Sequence, residues 1–176
     1  MTTSHRHSGN QVQPDLLLGW REWVSLPQLN IPAIKAKVDT GARTSAIHAF
    51  YVDRFRRKGQ AYVRFGVHPL QHRRDIAREC SARVIDERAV TDSGGHREDR
   101  LVIMTPLRLG SQEWNVEITL TNRDTMLFRM LIGREALRGH AWVNPGVSYQ
   151  VGKPRLTQCY PELTRNRNGR NEQLES

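Results

Sequence analysis

Apolar and polar residues alternate at every second position along much of this chain, and no other feature constrains its fold as strongly. Trp114, Val116, Ile118 and Leu120 alternate with Asn115, Glu117, Thr119 and Thr121, the pattern of a strand with one buried face. Leu107 and Leu109 flank Arg108 just before it, and Gly110-Ser111 separates the two runs. A glycine-first pair of that kind predicts a two-residue type II′ hairpin. Val63, Phe65 and Val67 form another such run. Ile34, Ala36 and Val38 alternate with Lys35 and Lys37 in a third, which leads straight into Asp39. A run ending at Val90 and one starting near Arg100 are separated by Asp92-Ser93-Gly94-Gly95-His96, read as a hairpin tip. Helix is scarce: Glu135 to Arg138, stopped by Gly139, predicts one short helix, and Leu70 to Cys80 is a candidate second. Short strands with glycine turns predict an all-β fold, a small closed barrel or sandwich with one or two short helices.

A chain of 176 residues is long enough to bury a sizeable core. Residues 1–14 and 164–176 are poor in aliphatic side chains and rich in Ser, Thr, Asn, Gln and His. Too little apolar surface remains there to offset ordering entropy, so both are expected to be disordered tails around one domain at 15–163. Of the formal charge of +9, +2 lies in the tails and +7 in the body. A body that basic fits a nucleic acid, an acidic substrate, or a solvated face. No apolar stretch is long enough for a membrane span or a secretory signal. Two cysteines, Cys80 and Cys159, exclude a disulfide scaffold, and the expected setting is cytoplasmic.

Asp39-Thr40-Gly41-Ala42 carries the chemistry. Taken alone, an Asp-Thr-Gly triplet is also ordinary turn chemistry. A second element, Met130-Leu131-Ile132-Gly133-Arg134 followed by Glu135-Ala136-Leu137, changes its meaning. An apolar strand into Asp-Thr-Gly-Ala, a later glycine-rich hairpin (Gly94, Gly95), and an apolar strand ending in Gly-Arg before a short helix resemble the retropepsin-like aspartic peptidases. The chain is most similar to a bacterial branch labelled ATP-dependent zinc proteases and associated with RimK-type ligases that append glutamates to a ribosomal protein. The matching residues are Gly19-Trp20-Arg21-Glu22, Lys35 to Ala46, Ser93 to Glu98, Thr121 to Asp124 and Met130 to Arg134.

The label itself does not follow from the residues. None of the seven His forms the two-His helical pair with intervening Glu of a common zinc protease, and no Gly-rich loop ends in Gly-Lys-Ser/Thr. No metal or other cofactor is therefore expected. The one arrangement that offers an unusual metal site is Cys80 with His68, His72 or His96.

The resemblance implies a retropepsin-type barrel and a mechanism. Two Asp carboxylates share one proton: the ionised one activates water, and the protonated one polarises the scissile carbonyl. One triplet per chain then requires a homodimer with Asp39 from each protomer on the axis. Thr40 would brace the pair, Gly41 would admit the substrate backbone, and Ala42, Gly133 and Arg134 would support the loop. Gly94 and Gly95 would cover bound peptide. Viral retropepsins carry an acidic residue where this chain has Arg43, so Arg134 needs another partner, for which Glu98 and Glu135 are candidates. Arg43 in a basic body points to an acidic peptide substrate, which the association with glutamate ligases implies is glutamate-rich, with an internal salt bridge as the alternative role of Arg43. Two other functions stay open: a non-catalytic module that binds acidic tails or RNA, and a metal-dependent peptidase.

Overall fold

The structure, a computed structural model, describes residues 15–91, 94–95, 97–122 and 127–164; the two predicted tails, apart from Thr164, lie outside them. Eleven strands and two four-residue α-helices are present among the described residues. The strands are β1 (Leu16–Leu18), β2 (Arg21–Leu26), β3 (Ile31–Asp39), β4 (Ser45–His48), β5 (Tyr51–Arg57) and β6 (Gln60–Val67). They continue with β7 (Arg78–Thr91), β8 (Arg97–Leu109), β9 (Gln112–Thr121), β10 (Met130–Gly133) and β11 (Ala141–Val143). The helices are α1 (Arg134–Leu137) and α2 (Leu156–Cys159). The fold is all-β with short helices, as the alternation predicts.

Nine strands form one sheet in the order β2-β3-β10-β4-β9-β8-β7-β6-β5, and a further pairing of β2 with β8, at Ser25 and Arg108, bonds its first six strands into a ring. Ile34, Ala36, Ile103, Leu107, Ile118, Met130 and Ile132 are wholly buried and fill the interior. The inward residues of β3, β6 and β9 are those the alternation picks out. Leu109 pairs with Gln112, leaving the predicted two-residue turn with Gly110 at φ +58. Thr91 pairs with Arg97, which bears out the second hairpin, whose Asp92, Ser93 and His96 lie outside the described residues. Gly139 stands at φ +76 just past α1, as a glycine stop does.

The expected helix from Leu70 to Cys80 does not form. After Pro69 the chain turns, His72 takes the left-handed region at φ 60, and β7 begins at Arg78, which puts Cys80 in a strand opposite Phe65. Leu70 and Ile76 are six positions apart, too far round a helix to share a face. Each instead packs with Ala33 under the wholly buried Tyr160. The Tyr160 hydroxyl donates to the Ala33 carbonyl, and burial pushes its phenol up.

Candidate active site

Strand β3 delivers Asp39 to the end of the ring. Its even-numbered residues Ile34, Ala36 and Val38 face the core, so Lys35, Lys37 and Asp39 project from the opposite side. The Asp39 side chain is 29% exposed. Backbone geometry then fixes its carboxyl: the Ala42 N–H is shared between the Asp39 carbonyl (3.2 Å) and its Oδ1 (3.3 Å). Thr40 and Gly41 stand exposed at the crest of the turn.

The turn has an unusual floor. Strands β3 and β4 are consecutive in sequence but not neighbours in the sheet, because β10 lies between them, parallel to β3 and antiparallel to β4. The connection from Thr40 to Thr44 must cross the end of β10, and it crosses at Gly133. A Cβ there would stand 2.5 Å from the Thr44 carbonyl carbon and 2.8 Å from the Arg43 oxygen and the Ser45 nitrogen. The crossing is then tied down. The N–H of Gly133 donates to Ser45 Oγ (3.1 Å), that of Arg134 to the Ala42 carbonyl (2.9 Å), and that of Glu135 to the Arg43 carbonyl (3.1 Å). Helix α1 is held in turn by Trp114, whose indole N–H donates to the Ala136 carbonyl at 2.9 Å.

The structure thus brings Asp39, Thr40, Gly41, Ala42, Arg43, Gly133 and Arg134 together. Arg134 does not pair with either expected carboxylate. Its Nη1 donates to the Gly41 carbonyl at 3.0 Å, while Glu98 holds Arg100 at 2.9 Å and Glu135 faces Arg138 at 3.3 Å. A backbone carbonyl at the crest replaces the missing acidic residue as the guanidinium's acceptor. Arg43, its side chain 74% exposed, reaches Glu135 at 4.0 Å, the loose limit of an ion pair. Gly94 and Gly95 sit at the tip of a different hairpin, β7–β8, with Gly95 at φ +80. No hydrogen bond among the described residues joins that tip to the Asp39 turn.

No group of three or more His, Cys, Asp or Glu among the described residues is placed to hold a metal ion. The Cys80 thiol is buried and donates to the Leu29 carbonyl at 3.3 Å. His68 stacks on Phe50 at 4.2 Å, and His96 lies outside the described residues. Nor is any helix among the described residues long and apolar enough to cross a membrane.

Residues 17–154 match the RimB-like family, described as the retropepsin-like aspartic endopeptidase RimB. The chain belongs to this family. Curated relatives include a protein named probable alpha-L-glutamate ligase from Shewanella pealeana, 43% identical over 87% of this chain and 34% of that one. A protein of the same name from Desulfotalea psychrophila is 47% identical over 78% of this chain and 30% of its own length. This chain spans about a third of the length of the curated relatives it matches. A crystal structure of a protein of unknown function from Legionella pneumophila superposes with a TM-score of 0.66 at 25% identity, covering 78% of this chain and 98% of that one.

Two residues of this RimB-like chain lie within the matching segments but drew no role from sequence. Glu22 is wholly buried on β2 and accepts the backbone N–H of Gly19 (2.6 Å), Gln150 (2.8 Å) and Val151 (3.4 Å). It thereby straps the segment after β11 to the strand beside β3. Lys37 places its Nζ 4.0 Å from Asp39 Oδ2. Strand periodicity carries the signal for Lys37, since it stands two residues before Asp39 on the same face. For Glu22, no local pattern indicates that loop amides 128 and 129 positions away will close over it.

Proposed function

We propose that this protein is an aspartic endopeptidase in which Asp39 of two identical chains forms one catalytic pair, and that its substrates are acidic, glutamate-rich peptides. The observation that carries the reading is the Asp39 turn: a partly exposed carboxyl at a strand end, oriented by the Ala42 amide and seated on Gly133 and Arg134. Membership of a family described as retropepsin-like aspartic endopeptidases supports the reaction class. A match to one third of longer chains named for glutamate ligation supports a glutamate-rich substrate and a functional link to a glutamate ligase. The excess of cations favours an acidic substrate too.

Two carboxylates held about 3 Å apart cannot both ionise, so the pair keeps one proton. The ionised Asp39 draws a proton from water, whose oxygen attacks the scissile carbonyl carbon. The protonated Asp39 hydrogen-bonds the carbonyl oxygen as it gains charge. Collapse breaks the C–N bond as the nitrogen takes a proton, leaving a carboxylate and an amine, with no net change in the enzyme. Arg134, bound to the Gly41 carbonyl, holds the crest of the turn so that both carboxyls meet in register.

A second reading draws on the β5–β6 hairpin, where Arg56, Arg57 and Lys58 are exposed and have no ion pair among the described residues. A module that binds acidic tails or RNA without cutting them would use such a surface. Incubating purified protein with poly-α-glutamate and with neutral peptides across a pH series separates the two. Hydrolysis that rises with dimer concentration and vanishes in Asp39→Asn is expected. Turnover retained in Asp39→Asn, or salt-sensitive RNA binding with no hydrolysis at all, would refute the aspartic mechanism.

A further inference from the structure

The face of the sheet that carries Asp39 is cationic in a way that does not stabilise the fold. Lys37 stands directly opposite Arg21 across the β2–β3 ladder, and like charges opposite one another weaken a strand pair. Trp23 and Lys35 form the next pair along the same face. The arrangement lacks its own anions. Arg21 is spread over the rings of Trp20 (4.5 Å) and Tyr149 (5.0 Å), and its Nε donates to Ser148 Oγ at 3.2 Å. Lys35 donates to the Gln71 amide oxygen at 3.1 Å and lies 5.3 Å from the Trp23 ring. Among the described residues Arg21 and Lys35 have no carboxylate partner, and the one carboxylate near Lys37 is Asp39 itself.

That leaves Lys37 as a 47% exposed ammonium whose only ion-pair partner among the described residues is the proposed catalytic carboxyl. Resting on the aspartic-peptidase reading above, we propose that Lys37 is the specificity-determining residue of the site. It binds the side-chain carboxylate of the substrate residue adjoining the scissile bond, and Arg21 and Lys35 supply the supporting positive field. Lys37 suits the task better than Arg43. It is fixed on a central strand of the ring within 4.0 Å of the catalytic carboxyl, whereas Arg43 lies on the crossing turn beside Glu135.

Symmetry extends the proposal. A two-fold axis between paired Asp39 residues sets the partner's Lys37 on the other side of the scissile bond. Both residues flanking the cut are then read by an ammonium, so the preferred bond joins two acidic residues. The enzyme trims within a run of glutamates rather than at the junction between such a run and a neutral sequence.

Four peptides with identical acidic flanks and the central pair Glu-Glu, Glu-Ala, Ala-Glu or Ala-Ala test this. The wild type should favour Glu-Glu over Ala-Ala by roughly ten- to a hundredfold in kcat/KM, with the mixed pairs between them. Lys37→Met should bring that ratio close to unity, Lys37→Arg should keep most of it, and Lys37→Glu should favour a Lys-Lys peptide over Glu-Glu. Equal cleavage of all four by the wild type, or an unchanged preference in Lys37→Met, would overturn the assignment. Cleavage that survives Asp39→Asn, or no cleavage of any peptide, refutes the peptidase reading instead. In that event, affinities of the Glu-Glu and Ala-Ala peptides for wild type and Lys37→Met still decide the subsite, and a Glu-Glu preference that Lys37→Met leaves intact would overturn it.

Discussion

Replacing Gly133 with Ala adds one methyl group at the point where the Asp39 turn crosses β10. The glycine is in extended backbone (φ −80), so alanine incurs no torsional cost and the effect is steric. The new Cβ would meet backbone atoms of Arg43, Thr44 and Ser45 at 2.5–2.8 Å, and reaching ordinary contact requires a retreat of about 1 Å. Backbone flanked by strands cannot rotate away as a side chain can. Overpacking of this kind costs about 1–3 kcal/mol. The retreat also strains the bonds from Gly133 to Ser45 and from Arg134 to Ala42, each worth about 1 kcal/mol. The sum is a loss of roughly 3–5 kcal/mol, or about 6–20 °C in Tm for a chain of this size. A 1 Å displacement of the carboxyl should lower kcat about a hundredfold at temperatures where the variant is still folded. Circular dichroism melts read the first effect, and poly-glutamate hydrolysis well below the melt reads the second. A Tm within about 1 °C of wild type together with normal turnover would show that the turn is not seated on Gly133.

Glu22→Ala leaves the Gly19 and Gln150 amides without their acceptor and should cost about 3–5 kcal/mol in thermal or urea unfolding; Glu22→Asp should recover little, being a methylene too short. Arg43→Ala removes a 4.0 Å, exposed pair with Glu135 worth about 0–1 kcal/mol, so Tm should barely move while cleavage of acidic peptides falls more than that of a neutral analogue. Equal losses on both peptides would assign Arg43 to scaffolding. Burial pushes the Cys80 thiol up to about 12, so the folded chain keeps a proton that the unfolded chain releases from about pH 8.5 upward. Stability should be flat with respect to this group below that pH and fall as pH rises toward 12. A disulfide reagent at pH 8 should modify the less buried Cys159 well ahead of Cys80, and equal rates would contradict the burial.

Legibility in the sequence followed burial. Strands β3, β6 and β9 announce themselves by alternation, because the inward positions are apolar and the opposite ones polar, including Thr119 and Thr121 of β9, which are buried all the same. Strand β5 escapes that reading: from Val52 to Arg57 every residue is exposed, so nothing selects one face. Strand β4 fails for the opposite reason, since Ser45, Ala46, Ile47 and His48 are all buried and show no periodicity. At the site, the Asp39 turn and the Gly133-Arg134 element are legible as local motifs, but what joins them is not. The bond from Arg134 to the Gly41 carbonyl spans 93 positions and exists only because β10 docks parallel to β3. Assigning Arg134 a carboxylate partner follows from charge alone, and a backbone carbonyl satisfies the guanidinium as well.

The insertion of β10 between β3 and β4 also explains why the carboxyl is available at all. Had β3 and β4 been hairpin neighbours, a two-residue turn would have sufficed and Asp39 would sit at an ordinary strand end. Because the chain must step over β10, Thr40 to Thr44 rise out of the sheet, and the polar atoms of that crossing have to be satisfied locally. The carbonyls of Ala42 and Arg43 are met from below by the amides of Arg134 and Glu135, and that of Gly41 from the side by the Arg134 guanidinium. One Asp39 carboxyl oxygen takes part, accepting from Ala42, while Oδ2 has the Lys37 ammonium at 4.0 Å and no closer partner among the described residues. On the proposed reading, the Lys37 ammonium that faces it would meet the charge of an acidic substrate.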